Sequence, residues 1–162
     1  ATASLCPQAG LPLGQILGRM TNLRILSMVS TSALDLDMTS PDSTFFFSKQ
    51  GLEQLLHGMG GVRFEMMEKF ELDGCMIRAS AARELGYLLG CMPSLDSLDL
   101  SGNFEIFTDE AMLEFVDALE RTDALRYVRQ LRLKDCGISP FKDAFKRLRN
   151  LCSVNVHVSF DK

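Results

Sequence analysis

The sequence predicts an α/β fold in which short parallel strands alternate with helices along a repeated unit. The clearest unit lies in residues 92–119, where Leu95, Leu98 and Leu100 are spaced as L-x-x-L-x-L and Asn103 follows. A helical stripe of apolar residues comes next, and similar segments recur on both sides of this unit. One strand–helix unit has too little apolar surface to form a core alone, so the units are expected to stack against each other.

Four further segments repeat parts of this unit. The predicted strands share the three-position apolar pattern, which occurs at Leu23, Leu26 and Met28, at Met67, Phe70 and Leu72, at Val128, Leu131 and Leu133, and at Leu151, Val154 and Val156. Cys75 and Cys136 take the position that Asn103 holds in the clearest unit. Helices are predicted at residues 11–20, 49–59, 81–89, 109–119 and 141–148.

The spacing between these units is irregular. The first apolar positions are separated by 67 − 23 = 44, 95 − 67 = 28, 128 − 95 = 33 and 151 − 128 = 23 residues. The first interval contains an insertion at about 34–47, where Pro41 and neighbouring Ser, Thr and Asp residues indicate a loop. The terminal units differ from the central ones, as expected of capping or truncated repeats.

Residues at the predicted helix ends agree with this division. Ser48 and Thr108 are predicted N-caps, because their hydroxyls can accept from backbone N–H groups in the first helical turn. Gly60 and its neighbouring glycines can end the second helix in a left-handed conformation, and Pro93 follows the end of the third.

Composition limits the possible functions. The chain has 162 residues, of which 46% are hydrophobic, so residues 1–162 are expected to form a single domain. A net charge of −4 argues against general attraction to nucleic acids or anionic membranes, and no apolar run is long enough to span a bilayer. Five scattered cysteines favour reduced, mostly buried thiols and a cytoplasmic location over a disulfide framework or a zinc site.

The strand–helix units of residues 70–89 and 95–119 resemble the leucine-rich repeat family, specifically its ribonuclease-inhibitor-like class. The resemblance covers roughly residues 11–160 and implies a right-handed curved solenoid with a parallel inner sheet and outer helices. It also implies a non-enzymatic protein-interaction or ligand-sensing domain, similar to the sensing regions of NOD-like receptors in innate immunity. Alternatives in the same class are a cytoskeletal or scaffold module, such as an actin-capping domain, and a GTPase-activating domain.

The side chains between the inward apolar positions are expected to form a concave binding face. The predicted partner-binding residues on three of its strands are Lys69, Glu71, Asp73, Asp99, Arg132 and Lys134. An alternative interpretation is that Asp99 pairs with Arg132, and Asp73 or Ser101 lies near Lys134, only to keep the sheet soluble. In the last strand the predicted outward residues are Ser153, Asn155 and His157.

Other features receive simpler interpretations. Phe46 lies in an FFF run that either packs the insertion onto the core or forms an exposed partner-binding patch. Two L-x-x-L-L motifs, at residues 52–56 and 85–89, are expected to pack in the core rather than dock to a partner.

His57 and His157 are isolated, so no metal, cofactor or catalytic base is expected. The expected partner is another protein, with self-association through terminal strand edges as a further possibility.

Overall fold

Five short parallel strands form one sheet whose order follows the chain, β1-β2-β3-β4-β5. They belong to a computed structural model that describes residues 6–28, 39–139, 142–152 and 157–159. The strands within these residues are β1 Ile25–Ser27, β2 Lys69–Glu71, β3 Ser97–Asp99, β4 Gln130–Arg132 and β5 His157–Ser159. The predicted parallel sheet of an α/β fold is confirmed.

Helices alternate with the strands. The α-helices are α1 Gly10–Leu17, α2 Lys49–Met59, α3 Ala82–Gly90, α4 Asp109–Thr122 and α5 Asp143–Leu151. Short 3-10 helices lie at Pro7–Ala9, Asp42–Thr44, Ala79–Ala81 and Glu105–Phe107. Helices α1 and α2 approach closely because glycines line their contact: a β-carbon at Gly14 would lie 2.2 Å from the carbonyl oxygen of Leu55. The two L-x-x-L-L motifs fall in α2 and α3, and their leucines pack against the core as predicted.

The middle residue of each strand points into the core. Phe70, Leu98 and Leu131 lie in register on neighbouring strands and are at most 1% exposed. Leu26 in β1 and Val158 in β5 are only half-buried, since each lies on a strand at one end of the sheet. Alternation along the strand therefore separates an apolar face under the helices from a polar face on the other side.

The predicted N-caps have different outcomes. The Ser48 hydroxyl accepts from the Gly51 N–H at 3.3 Å, which confirms this cap, and Gly60 ends α2 in the left-handed conformation at φ +63°. Thr108 occupies the N-cap position of α4, but its hydroxyl donates to the Glu105 carbonyl at 2.8 Å. Glu105 belongs to the preceding 3-10 helix, and the Thr108 hydroxyl bonds to its carbonyl instead of to a backbone N–H of α4. The prediction that Thr108 caps α4 through its side chain is therefore wrong.

The Phe run at the end of the insertion is buried. Phe45, Phe46 and Phe47 are 3%, 5% and 6% exposed, and the rings of Phe46 and Phe47 meet edge to face with centroids 4.9 Å apart. Phe46 therefore packs the insertion onto the core, and the alternative of an exposed partner-binding patch at Phe46 is wrong. Residues 34–38 of the predicted insertion lie outside the described residues.

Arg78 holds the described part of the insertion, residues 39–47, through contacts with three of its residues. Its guanidinium lies 4.5 Å from the ring centroid of Phe45 and pairs with Asp42 at 2.8 Å and Glu105 at 3.2 Å. The Arg78 N–H donates to the carbonyl of Phe47 at 2.9 Å. The Arg78 side chain is only 12% exposed, so these two carboxylates compensate a charge that has lost most of its water.

The register of the last strand differs from the one that the apolar pattern predicts. Leu151 ends α5 because it continues the helical stripe of Phe145 and Leu148, and Val158 rather than Val154 aligns with Leu131. The interval between these core positions is 158 − 131 = 27 residues, four longer than the predicted 23. The predicted outward residues Ser153 and Asn155 lie outside the described residues.

Neighbouring units are tied together by a buried amide. Asn103 is 1% exposed, and its Nδ2 donates to the carbonyls of Leu72, Leu100 and Ser101 at 2.7–3.0 Å. Its Oδ1 accepts from the Ile77 N–H at 3.3 Å, so one side chain bonds to the backbone of two successive units. At the equivalent position of the next unit, the Cys136 thiol donates to the Leu100 carbonyl at 3.3 Å.

We expect Asn103→Ala to lower the free energy of unfolding by about 3–5 kcal/mol, because several buried backbone groups lose their partner. Asn103→Cys should cost about half as much, since a thiol at this position still donates to the preceding unit, as Cys136 does. Urea denaturation followed by circular dichroism measures both. Equal midpoints for the wild type and Asn103→Ala would show that these cross-unit bonds contribute no stability.

A buried carboxylate destabilises the helical layer near neutral pH. Glu84 on α3 is 7% exposed, and its buried Oε2 has no hydrogen-bond partner among the residues that the structure describes. Burial raises the pKa of Glu84, the charge of Glu53 raises it further, and the backbone N–H of Glu84 together with Lys49 and Arg83 opposes the rise. Because this folded-state pKa is raised, the associated stability is fully present below the unfolded pKa and is lost as pH rises through the folded one.

Glu84→Gln should therefore be more stable than the wild type at pH 7, by on the order of 1 kcal/mol, since no charge is buried. The stability advantage of the variant should shrink as pH falls below the ordinary pKa range of a glutamate, where the wild-type side chain is also neutral. Thermal unfolding at pH 7 and pH 4 measures the difference. Glu114→Gln, which changes a half-exposed side chain, is the control; an advantage of Glu84→Gln that is the same at both pH values would contradict the explanation.

Candidate functional site

The outward side chains of the strands form two complete rows across the sheet, which we call the sheet face. The first row consists of Ile25, Lys69, Ser97, Gln130 and His157. The second row consists of Ser27, Glu71, Asp99, Arg132 and Ser159. The parallel register places these side chains at the same height on adjacent strands, so the sheet brings together four of the predicted site residues.

A third, shorter row follows where the strands end. Gly74 N–H donates to the Ser101 carbonyl at 2.9 Å, and Gly102 N–H donates to the Lys134 carbonyl at 2.8 Å. The cross-strand hydrogen bonds thus continue beyond β2, β3 and β4 and bring Asp73, Ser101 and Lys134 side by side. The Lys134 N–H also donates to the Ser101 hydroxyl at 3.2 Å, which confirms the predicted proximity of these two residues.

Two ion pairs lie on the sheet face. Lys69 Nζ is 2.7 Å from Glu71 Oε1, and Arg132 Nη1 is 3.7 Å from Asp99 Oδ2, as predicted for the second pair. The carboxylates are the more sheltered partners, at 22% exposure for Glu71 and 14% for Asp99. Within the described part of the chain, Asp73 and Lys134 have no ion pair.

Charge is unevenly distributed over this face. Glu71, Asp73 and Asp99 lie on β2, β3 and the turn after β2, whereas Arg132 and Lys134 belong to β4 and the residues that follow it. Glu71 and Asp99 are direct neighbours in the sheet, an arrangement of like charges that is unfavourable by itself. Lys69 and Arg132 offset this repulsion from either side. Phe46, the remaining predicted site residue, lies in the core and not on this face.

The sequence prediction missed a further charged row at the beginning of the strands. Glu68 pairs with Arg24, and Asp96 pairs with Arg129. The backbone aligns these residues, because the Glu68 carbonyl accepts from Asp96 N–H at 2.9 Å and the Asp96 carbonyl accepts from Arg129 N–H at 2.8 Å. The available signal was a charged residue directly after the first apolar position in four units.

Comparisons with known proteins do not identify a family for this chain. A scan against protein-family models gives no match, and a search of curated proteins finds no significant match. Within the described residues, no helix is both long and apolar enough to cross a membrane. The same residues contain no group of three or more His, Cys, Asp or Glu side chains that could hold a metal ion.

The chemistry of the sheet face is that of charged hydrogen bonding. The hydrogen bond from Lys69 lowers the pKa of Glu71, and smaller contributions come from the Ser27 hydroxyl and the charges of Lys69 and Arg132. Partial desolvation opposes this lowering. Glu71 therefore stays ionised at neutral pH and can accept hydrogen bonds from a cationic group, with the Asp99 side chain next to it.

We expect Lys69→Met to raise the pKa of Glu71 toward its ordinary value, because the strongest hydrogen bond to the carboxylate is lost. In the wild type the depressed pKa gives stability that is present above the unfolded pKa and is lost as pH falls through the folded one. Side-chain carboxyl chemical shifts followed by NMR from pH 2 to 7 measure this change. Lys49→Met, which removes a lysine on α2, should leave the Glu71 titration where it is; an unchanged Glu71 titration in Lys69→Met would contradict the assignment.

Proposed function

We propose that this chain is a non-enzymatic protein-interaction domain that binds another protein through the sheet face. The supporting observation is that three aligned rows present charged side chains on a sheet whose other side packs against the core, most tightly at β2, β3 and β4. A partner would meet these groups in a fixed arrangement, which reduces the conformational entropy lost on binding. Several neighbouring weak contacts on such a surface can together give a specific interaction.

The energetics of the ion pairs support a binding role over a stabilising one. Exposed ion pairs contribute only about 0–1 kcal/mol each, so Lys69–Glu71 and Arg132–Asp99 add little to folding. Uncharged polar residues would keep the sheet equally soluble without placing Glu71 beside Asp99. Asp73 and Lys134, which have no ion pair with any residue that the structure describes, leave further charge for a partner.

We further propose that the domain is a leucine-rich repeat solenoid of the ribonuclease-inhibitor-like class, curved with the sheet inside. The alternation of parallel strands with helices supports this proposal, as does the buried Asn103 at the position where Cys75 and Cys136 stand in other units. A cytoplasmic location is consistent with the free thiols of these buried cysteines, which donate to backbone carbonyls. Within this class, a sensing region that captures a protein ligand agrees best with the polar sheet face.

Combined alanine substitution of Glu71, Asp73, Asp99 and Arg132 should weaken partner binding by at least about tenfold and leave the fold intact, because binding loses several neighbouring charged contacts. Affinity purification with the wild type, followed by mass spectrometry, identifies the partner. Titration calorimetry with that purified partner then compares the variants, and circular dichroism checks folding.

The matched control replaces Glu53, Glu110, Glu114 and Arg83, which are exposed on the helices and have the same combination of three acids and one arginine. This control should bind as the wild type does. Unchanged affinity of the sheet-face variant, or an equal loss in the control, would refute the proposal.

A further inference from the structure

A groove of about 640 Å³ lies at the beginning of the strands, apart from the three rows of the sheet face. It is formed where the chain enters β2, β3 and β4. The groove is lined by Glu68, Ser94, Asp96, Arg126, Tyr127 and Arg129. Arginine and tyrosine are enriched where proteins bind each other, because both combine a large contact area with polar groups.

The carboxylates of this groove already have cationic partners. Arg24 donates to Glu68 from both Nε and Nη2, and Arg129 Nε donates to Asp96 Oδ1. A basic ligand would have to compete with these arginines for the same oxygens. The groove is therefore poorly suited to a cationic segment.

The arginines, in contrast, retain unused donors. Arg129 employs only Nε, and Arg126 employs only Nη1, which donates to Asp123 at 3.2 Å. No other side-chain hydrogen bond of these two arginines occurs among the residues that the structure describes. Their side chains are 69% and 65% exposed, so the remaining guanidinium N–H groups are accessible to an anion.

Tyr127 provides an apolar surface next to the Arg126 guanidinium. The side chain is 59% exposed, unusually high for so large a ring, and the Arg126 guanidinium lies 5.7 Å from its centroid. An exposed aromatic ring beside a guanidinium favours a ligand that combines an apolar side chain with an acidic one.

We infer that this groove binds an acidic segment of a partner protein. Carboxylates of the segment accept hydrogen bonds from the free guanidinium groups of Arg126 and Arg129, and a neighbouring apolar side chain packs on Tyr127. A carboxylate meets several guanidinium N–H groups here, because each of these two arginines has only one described acidic partner and uses one nitrogen to bind it. This site is separate from the sheet face and does not depend on the function proposed for that face.

The test uses a fluorescein-labelled peptide with blocked ends, in which four glutamates alternate with four leucines. Fluorescence anisotropy should show binding that weakens with salt, and the same peptide with glutamine in place of glutamate should bind at least about tenfold more weakly. The double variant Arg126→Gln with Arg129→Gln should lose at least tenfold in affinity. Arg63→Gln with Arg83→Gln is the matched control, because these arginines are also exposed and ion-paired but lie outside the groove.

Amide NMR spectra of the wild type locate the peptide independently of any effect of substitution on folding. Shifts of the Ser94, Asp96, Tyr127 and Arg129 amides upon peptide addition support the site. The inference is overturned if the glutamate peptide does not bind, if the glutamine peptide binds equally well, if the control loses as much affinity, or if the shifted amides lie elsewhere.

Discussion

The buried amide of Asn103 is the interaction on which the arrangement of the sheet depends. A three-residue strand makes few backbone hydrogen bonds with its neighbours, so strand pairing alone holds the register weakly. The amide donates to the carbonyls of Leu72 and Leu100, which belong to successive units, and thereby fixes one turn relative to the next. Cys75 and Cys136 bond to the preceding unit in the same way through a single donor, at lower expected strength.

A fixed register has a direct consequence for the polar surface. Because Glu71, Asp99 and Arg132 stand at equal positions on adjacent strands, their order across the sheet is determined by the backbone and not by side-chain flexibility. The core residues beneath them are almost completely buried. A substitution on the outward side therefore changes the surface charge without creating a cavity. The strands therefore carry stability on one side and leave the other side available for recognition.

Much of the fold was predictable because the apolar residues recur with one period in the strands, about 2 residues, and another in the helices, about 3.6 residues. Helix α2 has the predicted bounds, and the central strands form around Phe70, Leu98 and Leu131 as expected. The last unit was misjudged because Leu151 fits both patterns, and packing of α5 decided in favour of the helix. Phe46 was ambiguous for another reason: a run of aromatic residues predicts burial or exposure only when its neighbours in space are known. The neighbours of this run include Arg78, whose guanidinium lies over the Phe45 ring although it follows Phe45 by 78 − 45 = 33 residues.

The part of the candidate site that could be predicted was the part determined by the alternation of inward and outward side chains along the strands. Outward positions on β2, β3 and β4 follow from a two-residue period, whereas the groove beside Tyr127 depends on how three loops approach each other. From the sequence alone, each of its arginines would be expected to have an acidic partner. Asp123 lies three residues before Arg126, and Asp96 holds the position of Arg129 in the preceding unit. Among the described residues, each guanidinium uses only part of its donors. A guanidinium has five N–H groups, so one ion pair fixes its orientation and leaves it able to bind a second carboxylate.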